Sequence, residues 1–203
     1  MIRKFKAMGL TAMTVIVVNL VGASAVHAAQ FEASSYPTTV TATSALGNGV
    51  VETEGGSVEC QEHLEGTLSG ASSAIDFKVT FTNCKAFGFA SATVHGNGCV
   101  LRVHANLEAD LICPAGKVLE VTAGTCVMHV ASQNGLKWLA MSNGGGGHVD
   151  IGIKLSTLTY NVTKDPFLCP FSGPGHRTGM GWIYSNAVTT KPVIGGNDFT
   201  LKP

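Results

Sequence analysis

The sequence comprises 203 residues, of which 13% are charged, and its 13 basic residues balance its 13 acidic ones. No run of like charges occurs, which argues against nucleic-acid binding because phosphate backbones are bound by clustered Lys and Arg. The length suffices for a sizeable hydrophobic core in one domain.

Residues 1–28 have the features of a secretory signal peptide. Three basic residues within the first six positions precede a long apolar stretch, which ends in the small residues of ASAVHAAQ. Val26 and Ala28 fit the −3 and −1 positions of a signal peptidase site, so we predict cleavage after Ala28, with Ala25 or Ala29 as alternatives, rather than retention as a membrane anchor. The mature chain, 29–203, contains no further apolar span, and we expect it to be secreted or displayed on the cell surface as one extracellular domain.

Six cysteines lie in the predicted mature chain, and they are Cys60, Cys84, Cys99, Cys113, Cys126 and Cys169. An even number in an exported chain predicts disulfide bonds. No two cysteines have the close spacing of a zinc site. Cys99 is a candidate partner of either Cys113 or Cys126, and Cys169 is expected to tie a late loop to the earlier part of the sheet.

Alternation of apolar and polar residues predicts antiparallel strands in the first half of the mature chain. In AIDFKVTFT, at 74–82, every second residue is apolar, which predicts a half-buried strand. The segments VLRVHAN and LEADLI, at 100–112, predict a hairpin whose open ends carry Cys99 and Cys113.

The same alternation continues in the second half. KVLEVTAG and TCVMHVAS, at 117–132, predict a hairpin that turns at Gly124. VDIGIKL, at 149–155, alternates again, but the next apolar set begins at Leu158, so we expect a bulge or turn near Ser156.

The segment FLCPFSGPGHRTGMGWIY, at 167–184, is rich in proline and glycine. Its prolines exclude a central strand, and we expect its glycines to turn the chain before Trp182 opens the next strand. A disulfide at Cys169 would order this loop. We therefore predict Trp182, His176 and Arg177 as candidate binding residues.

No helical stripe of apolar residues persists in the mature chain, while glycine-rich turns such as HGNG and NGGGG recur. Short strands arrive at regular intervals, and we expect about twelve of them. The sequence therefore predicts an all-β fold, namely a single antiparallel β-sandwich or barrel-like domain with disulfides.

Catalytic signals are weak. No G-x-S-x-G motif is present, and His148 and Asp150 share only the face of a predicted strand. Acidic residues surround Cys60, but such residues are typical of an exposed strand face. They are Glu52, Glu54, Glu59, Glu62 and Glu65. We therefore predict no catalytic residues.

Two strand histidines, His104 and His129, would form a metal site only if their strands were close. Lone histidines of this kind are more often surface or hydrogen-bonded residues, so we predict no metal and no cofactor. Exposed aromatic rings are the remaining candidate binding feature, but we favour core packing as the explanation for them. The candidates are Tyr36, Trp138, Tyr160, Trp182 and Tyr184.

Several blocks carry a resemblance across the mature chain, from FEASSYPTTVTA and GGSVECQEHLEGTL, through TFTNCKAFGFASATVHGNGCVLRVHA and LICPAGKVLEVTAGTCVMHVASQNGL, to YNVTKDPFLCPFSGPGHRTGMGWIYSNAVTT. With all six cysteines in order, the chain resembles an uncharacterised family of secreted, six-cysteine, β-rich bacterial proteins, mostly actinobacterial. The resemblance implies export and a disulfide-bearing β-fold, and it implies no activity.

Together these features favour a secreted structural or binding module over an enzyme. Its partner would be extracellular or part of the cell wall. The alternative is a small secreted hydrolase, similar to a glycosidase, with acids and histidines on its strands.

Overall fold

A computed structural model describes residues 29–43, 49–53, 56–137, 140–144, 148–164, 169, 178–192 and 199–202; beyond residue 136, side chains are described only for 158–163 and 169. The described residues form fifteen strands and no helix. They therefore include no helix able to cross a membrane.

The first eight strands are β1 (Gln30–Ala33), β2 (Thr38–Thr43), β3 (Gly49–Thr53), β4 (Gly56–Leu68), β5 (Ala74–Ala86), β6 (Ala90–His95), β7 (Val100–His104) and β8 (Glu108–Ile112). The remaining strands are β9 (Leu119–Ala123), β10 (Cys126–Val130), β11 (Gln133–Lys137), β12 (Ala140–Gly144), β13 (His148–Lys164), β14 (Thr178–Pro192) and β15 (Phe199–Lys202).

Thirteen of the strands form one sheet, while β1 pairs only with β15. The order in the large sheet is β11-β8-β7-β5-β6-β9-β10-β13-β14-β2-β4-β3, with β12 attached to β13, and further pairings join β5 to β4 and β14 to β3. Among the described strands β11 pairs only with β8, so the sheet does not close into a complete barrel. The registers are antiparallel, which confirms the predicted all-β, antiparallel class.

The sheet curves around a core that begins in β4 and β5. In β5 the apolar Ile75 and Phe77 are buried, while the intervening Asp76 and Lys78 are exposed, which confirms the predicted alternation. Leu64 of β4 lies opposite Val79, and Gly66 lies opposite Phe77. Burial of a ring such as Phe77 contributes about 2–3 kcal/mol to the free energy of folding.

Strand β5 changes its neighbour along one edge. Residues 74–78 pair with β7, whereas only Lys85 and Ala86 pair with β6. The intervening residues 79–84 pair with no described strand on that edge, although β4 lies along the other one. The sheet is therefore split at the middle of β5.

Three disulfides join cysteines that are described by the structure. They link Cys60 to Cys84, Cys99 to Cys113, and Cys126 to Cys169. The predicted disulfides are thus confirmed. Of the two partners considered for Cys99, Cys113 is the observed one, because β7 and β8 form the predicted hairpin.

The predicted hairpin of β9 and β10 is also confirmed, since Ala123 lies opposite Cys126 and Gly124 takes a positive φ of 60°. The phase slip expected near Ser156 appears as a register shift between Leu155 and Leu158 in the pairing of β13 with β14.

Two expectations were wrong. The structure has fifteen strands instead of about twelve, because strands of four or five residues such as β11 and β15 show too little alternation to be recognised. Strand β14 begins at Thr178, so Gly179 and Gly181 belong to it and do not precede it. They lie opposite Tyr160 and Leu158, respectively, in the pairing of β14 with β13.

Candidate functional site

The sheet encloses a cavity of about 80 Å³. The described lining residues come from nine strands, β3 to β10 and β13. Most of the described lining residues are aliphatic, such as Leu64, Leu111 and Met128. The exceptions that carry oxygen in their side chains are Glu62 and Tyr160. An apolar cavity with a few polar groups is the usual form of a small-molecule site.

Glu62 enters the cavity because of its position in β4. Alternate residues of this strand face inward, and Cys60 and Leu64 on either side of Glu62 are buried. On the neighbouring strand Glu62 lies directly opposite Phe81, which also lines the cavity. Side chains opposite each other on paired strands have Cβ atoms about 5 Å apart. The carboxyl of Glu62 and the ring of Phe81 are therefore neighbours in the wall.

A glycine makes room for this carboxyl. A carbon atom added to Gly49 of β3 would lie 2.5 Å from Cδ and 2.6 Å from Oε1 of Glu62. Such distances are far below van der Waals contact, so any larger residue at position 49 would displace Glu62. The close approach of β3 and the inward position of Glu62 thus depend on each other.

Burial raises the pKa of Glu62 from its ordinary 4.5 to about 7. The cause is desolvation, because an apolar wall disfavours the charged form of a carboxyl. The residue as a whole is half-buried and retains some contact with solvent. Near neutral pH the cavity therefore contains a carboxyl that exchanges readily between its neutral and ionised forms.

A groove of about 380 Å³ lies outside the cavity, at the split in the sheet. It runs between residues 78–81 of β5, of which 79–81 belong to the unpaired edge, and the segment 94–100, which comprises the end of β6, the following turn and the first residue of β7. Val79, Phe81 and Val94 line both the groove and the cavity. One layer of side chains therefore separates the cavity from the surface.

The wall formed by the β6–β7 turn is held in place by local bonds. The amide of Cys99 donates to the carbonyl of Gly96 at 2.8 Å, and Nδ2 of Asn97 donates to the carbonyl of Val118 at 2.9 Å. The disulfide from Cys99 to Cys113 adds a covalent link across the base of the β7–β8 hairpin. The groove is thus a fixed feature of the fold.

The predicted binding residues are not part of the described cavity wall. His176 and Arg177 lie outside the described residues. Trp182 lies on β14 opposite Glu52, and its side chain is not among those described. These three assignments therefore stay predictions.

The aromatic candidates have separate outcomes. Tyr160 agrees with core packing and does not serve as an exposed platform, because only 3% of its surface is accessible and it lines the cavity. Tyr36 is exposed, and its hydroxyl accepts a hydrogen bond from the amide of Ala33 at 3.0 Å. Trp138 lies outside the described residues, and Tyr184 lies on β14 without a described side chain.

The acidic residues around Cys60 do not form one exposed patch. Glu65 is exposed, whereas Glu62 turns into the cavity, so the expectation of a common exposed face is wrong for Glu62. Glu54 lies outside the described residues. The signal that identifies Glu62 is its place in the alternating series Val58, Cys60, Glu62, Leu64.

The two histidines considered for a metal site have separate partners. Nε2 of His104 lies 2.9 Å from Asp110, and Nε2 of His129 lies 3.2 Å from Glu120. Their strands, β7 and β10, do not pair with each other, so the idea that they share a metal is wrong. Within the described residues no group of three His, Cys, Asp or Glu side chains is placed to hold a metal ion. The pair of His148 and Asp150 lies on β13, where side chains are not described.

The ion pairs of β5, β7 and β8 lie on the outer face of the sheet. Arg102 donates to both oxygens of Asp76, at 2.6 and 2.9 Å, and this hydrogen bonding lowers the pKa of Asp76. Burial acts to raise the pKa of Asp110, but hydrogen bonds from His104 and from the amide of Gly135 lower it overall. These side chains stabilise the sheet modestly and do not converge on a pocket.

Comparison of the chain with protein-family models, with curated proteins and with solved structures gave no match in any of the three. The resemblance to a family of secreted six-cysteine proteins therefore stays a prediction, and function has to be argued from the site itself.

Proposed function

We propose that this protein is an exported binding protein that takes a small, largely apolar molecule into the cavity around Glu62. The observation that supports the proposal best is an acidic side chain on the inward face of β4, in an otherwise aliphatic and aromatic wall. The groove beside β5 is the proposed route of entry, because Val79, Phe81 and Val94 line both the groove and the cavity.

An ionisable side chain at this position carries a free-energy penalty for ionisation, which distinguishes the cavity from an ordinary packing defect. A pKa raised from 4.5 to about 7 corresponds to roughly 3 kcal/mol against the ionised form. A valine or leucine at this inward position would avoid that penalty. Ionisable groups that are retained in apolar pockets with strongly shifted pKa values are typical of functional sites.

The same wall favours binding over hydrolysis. Glycoside hydrolysis uses two carboxyl groups that face each other across the substrate. Among the described residues, Glu62 is the one acid that lines the cavity. The hydrolase alternative therefore has less support than the binding protein.

We further propose that the mature chain, 29–203, acts outside the cell or at the cell surface after removal of the signal peptide. The three disulfides are compatible with an oxidising compartment. An extracellular molecule is then the natural ligand.

The proposal is tested by NMR of methyl groups in protein secreted from cells that express the full chain. Xenon serves as the uncharged apolar probe, since apolar cavities bind it and it is a single atom that suits a cavity of about 80 Å³. We expect the changes in methyl chemical shift on probe binding to concentrate at cavity residues such as Leu64 and Met128. Shifts that are scattered over the surface would contradict a binding cavity.

A matched pair of variants on β10 controls for general effects of the substitution. Val130→Phe fills the cavity, whereas Val127, which lies on the same strand but not in the cavity wall, receives the same ring without filling it. We expect Val130→Phe to abolish probe binding and Val127→Phe to preserve it. Equal binding by both variants would refute the assignment of the cavity.

A further inference from the structure

The aromatic rings of the cavity wall accompany the acid. Phe81 lies opposite Glu62 on the neighbouring strand, and Tyr160 reaches the cavity from β13. They are the aromatic residues among the described lining residues, and the rest of the wall is aliphatic apart from Gly49 and the Cys60 disulfide. The cavity therefore combines one carboxyl with two aromatic rings.

We infer that the ligand carries an ammonium group, which occupies the cavity lined by Glu62, Phe81 and Tyr160. This inference rests on the proposed binding function and names its ligand class: small amines or quaternary ammonium compounds with an apolar body. A carboxylate attracts a cation directly, and the faces of aromatic rings attract it through their quadrupoles. Both attractions are stronger in an enclosed, poorly solvated site than in water.

Other head groups fit this wall less well. An anionic ligand would meet the like charge of Glu62. A neutral ligand would gain only from apolar contact, and it would require the carboxyl to remain protonated. A cation stabilises the ionised carboxylate, which burial alone disfavours. It is also attracted by both aromatic rings.

The dimensions match a small head group. An engineered cavity of about 150 Å³ holds benzene, so the cavity of about 80 Å³ fits a group of only a few heavy atoms. The groove of about 380 Å³ has room for the remainder of the ligand. Phe81, which borders both spaces, would contact the ligand where it passes from one to the other.

The titratable surroundings make binding depend on pH through Glu62. Among the lining side chains that the structure describes, the other titratable group is the phenol of Tyr160, and none is a Lys, Arg or His. Lys78 and His95 border the groove but do not line the cavity. Binding of a permanent cation should therefore strengthen as the pH rises through the pKa of Glu62, about 7. Below that pH it should weaken about tenfold for each pH unit.

The test compares choline with its uncharged carbon isostere, in which carbon replaces the quaternary nitrogen. The two have nearly the same shape, and the charge of choline does not change with pH. Affinities are measured by titration calorimetry and by methyl NMR, at about pH 5 and about pH 8.5. We expect choline to bind at least about tenfold tighter than the isostere at the higher pH and to lose about a hundredfold of its affinity at the lower pH.

Glu62→Gln should remove both the preference for choline and its pH dependence while retaining the binding of xenon, which shows that the variant is folded. Glu65→Gln, on the exposed face of the same strand, should behave like the unaltered protein. Equal affinity for choline and its isostere, or a preference that survives Glu62→Gln, would overturn the ammonium assignment while the cavity function stands. If xenon, choline and the isostere all fail to perturb the cavity methyl groups, the proposed function fails as well.

Discussion

Replacement of Glu62 by glutamine should change how the stability of the protein depends on pH. The pKa of Glu62 in the folded protein is about 7, compared with an ordinary value of 4.5. Because the folded pKa is raised, the folded state holds its proton more tightly than the unfolded chain. The resulting stabilisation is fully present below pH 4.5 and is lost as the pH rises through about 7.

The magnitude follows from the shift in pKa. Each pKa unit corresponds to about 1.4 kcal/mol, so the change from 4.5 to about 7 corresponds to roughly 3 kcal/mol. This is an upper value, because Glu62 retains some contact with solvent. A glutamine side chain does not titrate, so Glu62→Gln should become more stable relative to the unaltered chain as the pH rises from about 4 to above 7.

The assay is urea unfolding of the oxidised protein between about pH 4 and pH 8.5, with the free energy of unfolding compared between the unaltered chain and Glu62→Gln. Groups other than Glu62 contribute equally to both proteins and cancel in the difference. Glu65→Gln is the control, and its difference from the unaltered chain should stay flat across the same range. Parallel stability curves for the unaltered chain and Glu62→Gln would refute the burial of an ionisable carboxyl in the cavity.

Two further predictions concern the packing around the site and the disulfides. Gly49→Ala should lower the free energy of unfolding by about 1–3 kcal/mol because the added carbon collides with the Glu62 carboxyl. This loss should be smaller when Gly49→Ala is combined with Glu62→Ala. Strictly additive effects of the two substitutions would contradict the collision. Replacing both Cys126 and Cys169 by serine removes a bridge between residues 43 apart and should cost about 4 kcal/mol in urea unfolding. Removal of the pair 14 apart, Cys99 and Cys113, should cost about 3 kcal/mol, and the reverse order would contradict the loop-entropy argument.

Local pattern accounts for much of the fold. Strict alternation in 74–82 predicts β5, and the turn residue Gly124 predicts the β9–β10 hairpin, because both features depend only on neighbouring residues. The slip near Ser156 is also local. For Cys99 the sequence leaves two candidate partners, Cys113 and Cys126. Hairpin pairing selects Cys113, but the spacing of the cysteines alone does not.

The cavity could not be predicted in the same way. The alternation of Val58, Cys60 and Leu64 implies an inward Glu62. Acidic residues are so often exposed, however, that the residue type favours an exposed position for Glu62. The surroundings of an inward carboxyl, whether a bonding partner, a packed core or a cavity, depend on which strands lie opposite it in the fold. Here the opposite wall includes residues of β10 and β13, which lie far from Glu62 along the chain.

The groove depends on strand pairing that is even less evident from neighbouring residues in the sequence. Strand β5 pairs with β7 at one end and with β6 at the other, and the gap at 79–84 results from the way these two strands diverge. No residue type marks that divergence, since Val79 and Phe81 continue the alternation of the strand without interruption.

The central claim is that Glu62 is a buried, titrating carboxyl in a cavity that binds cations. It is tested most directly by following the side-chain carboxyl carbon of Glu62 by NMR as a function of pH, without and with choline. The account predicts a midpoint near pH 7 in the protein alone, and a shift of that midpoint to lower pH when choline is present, because the cation stabilises the carboxylate. A midpoint near 4.5 that choline leaves unchanged would contradict it.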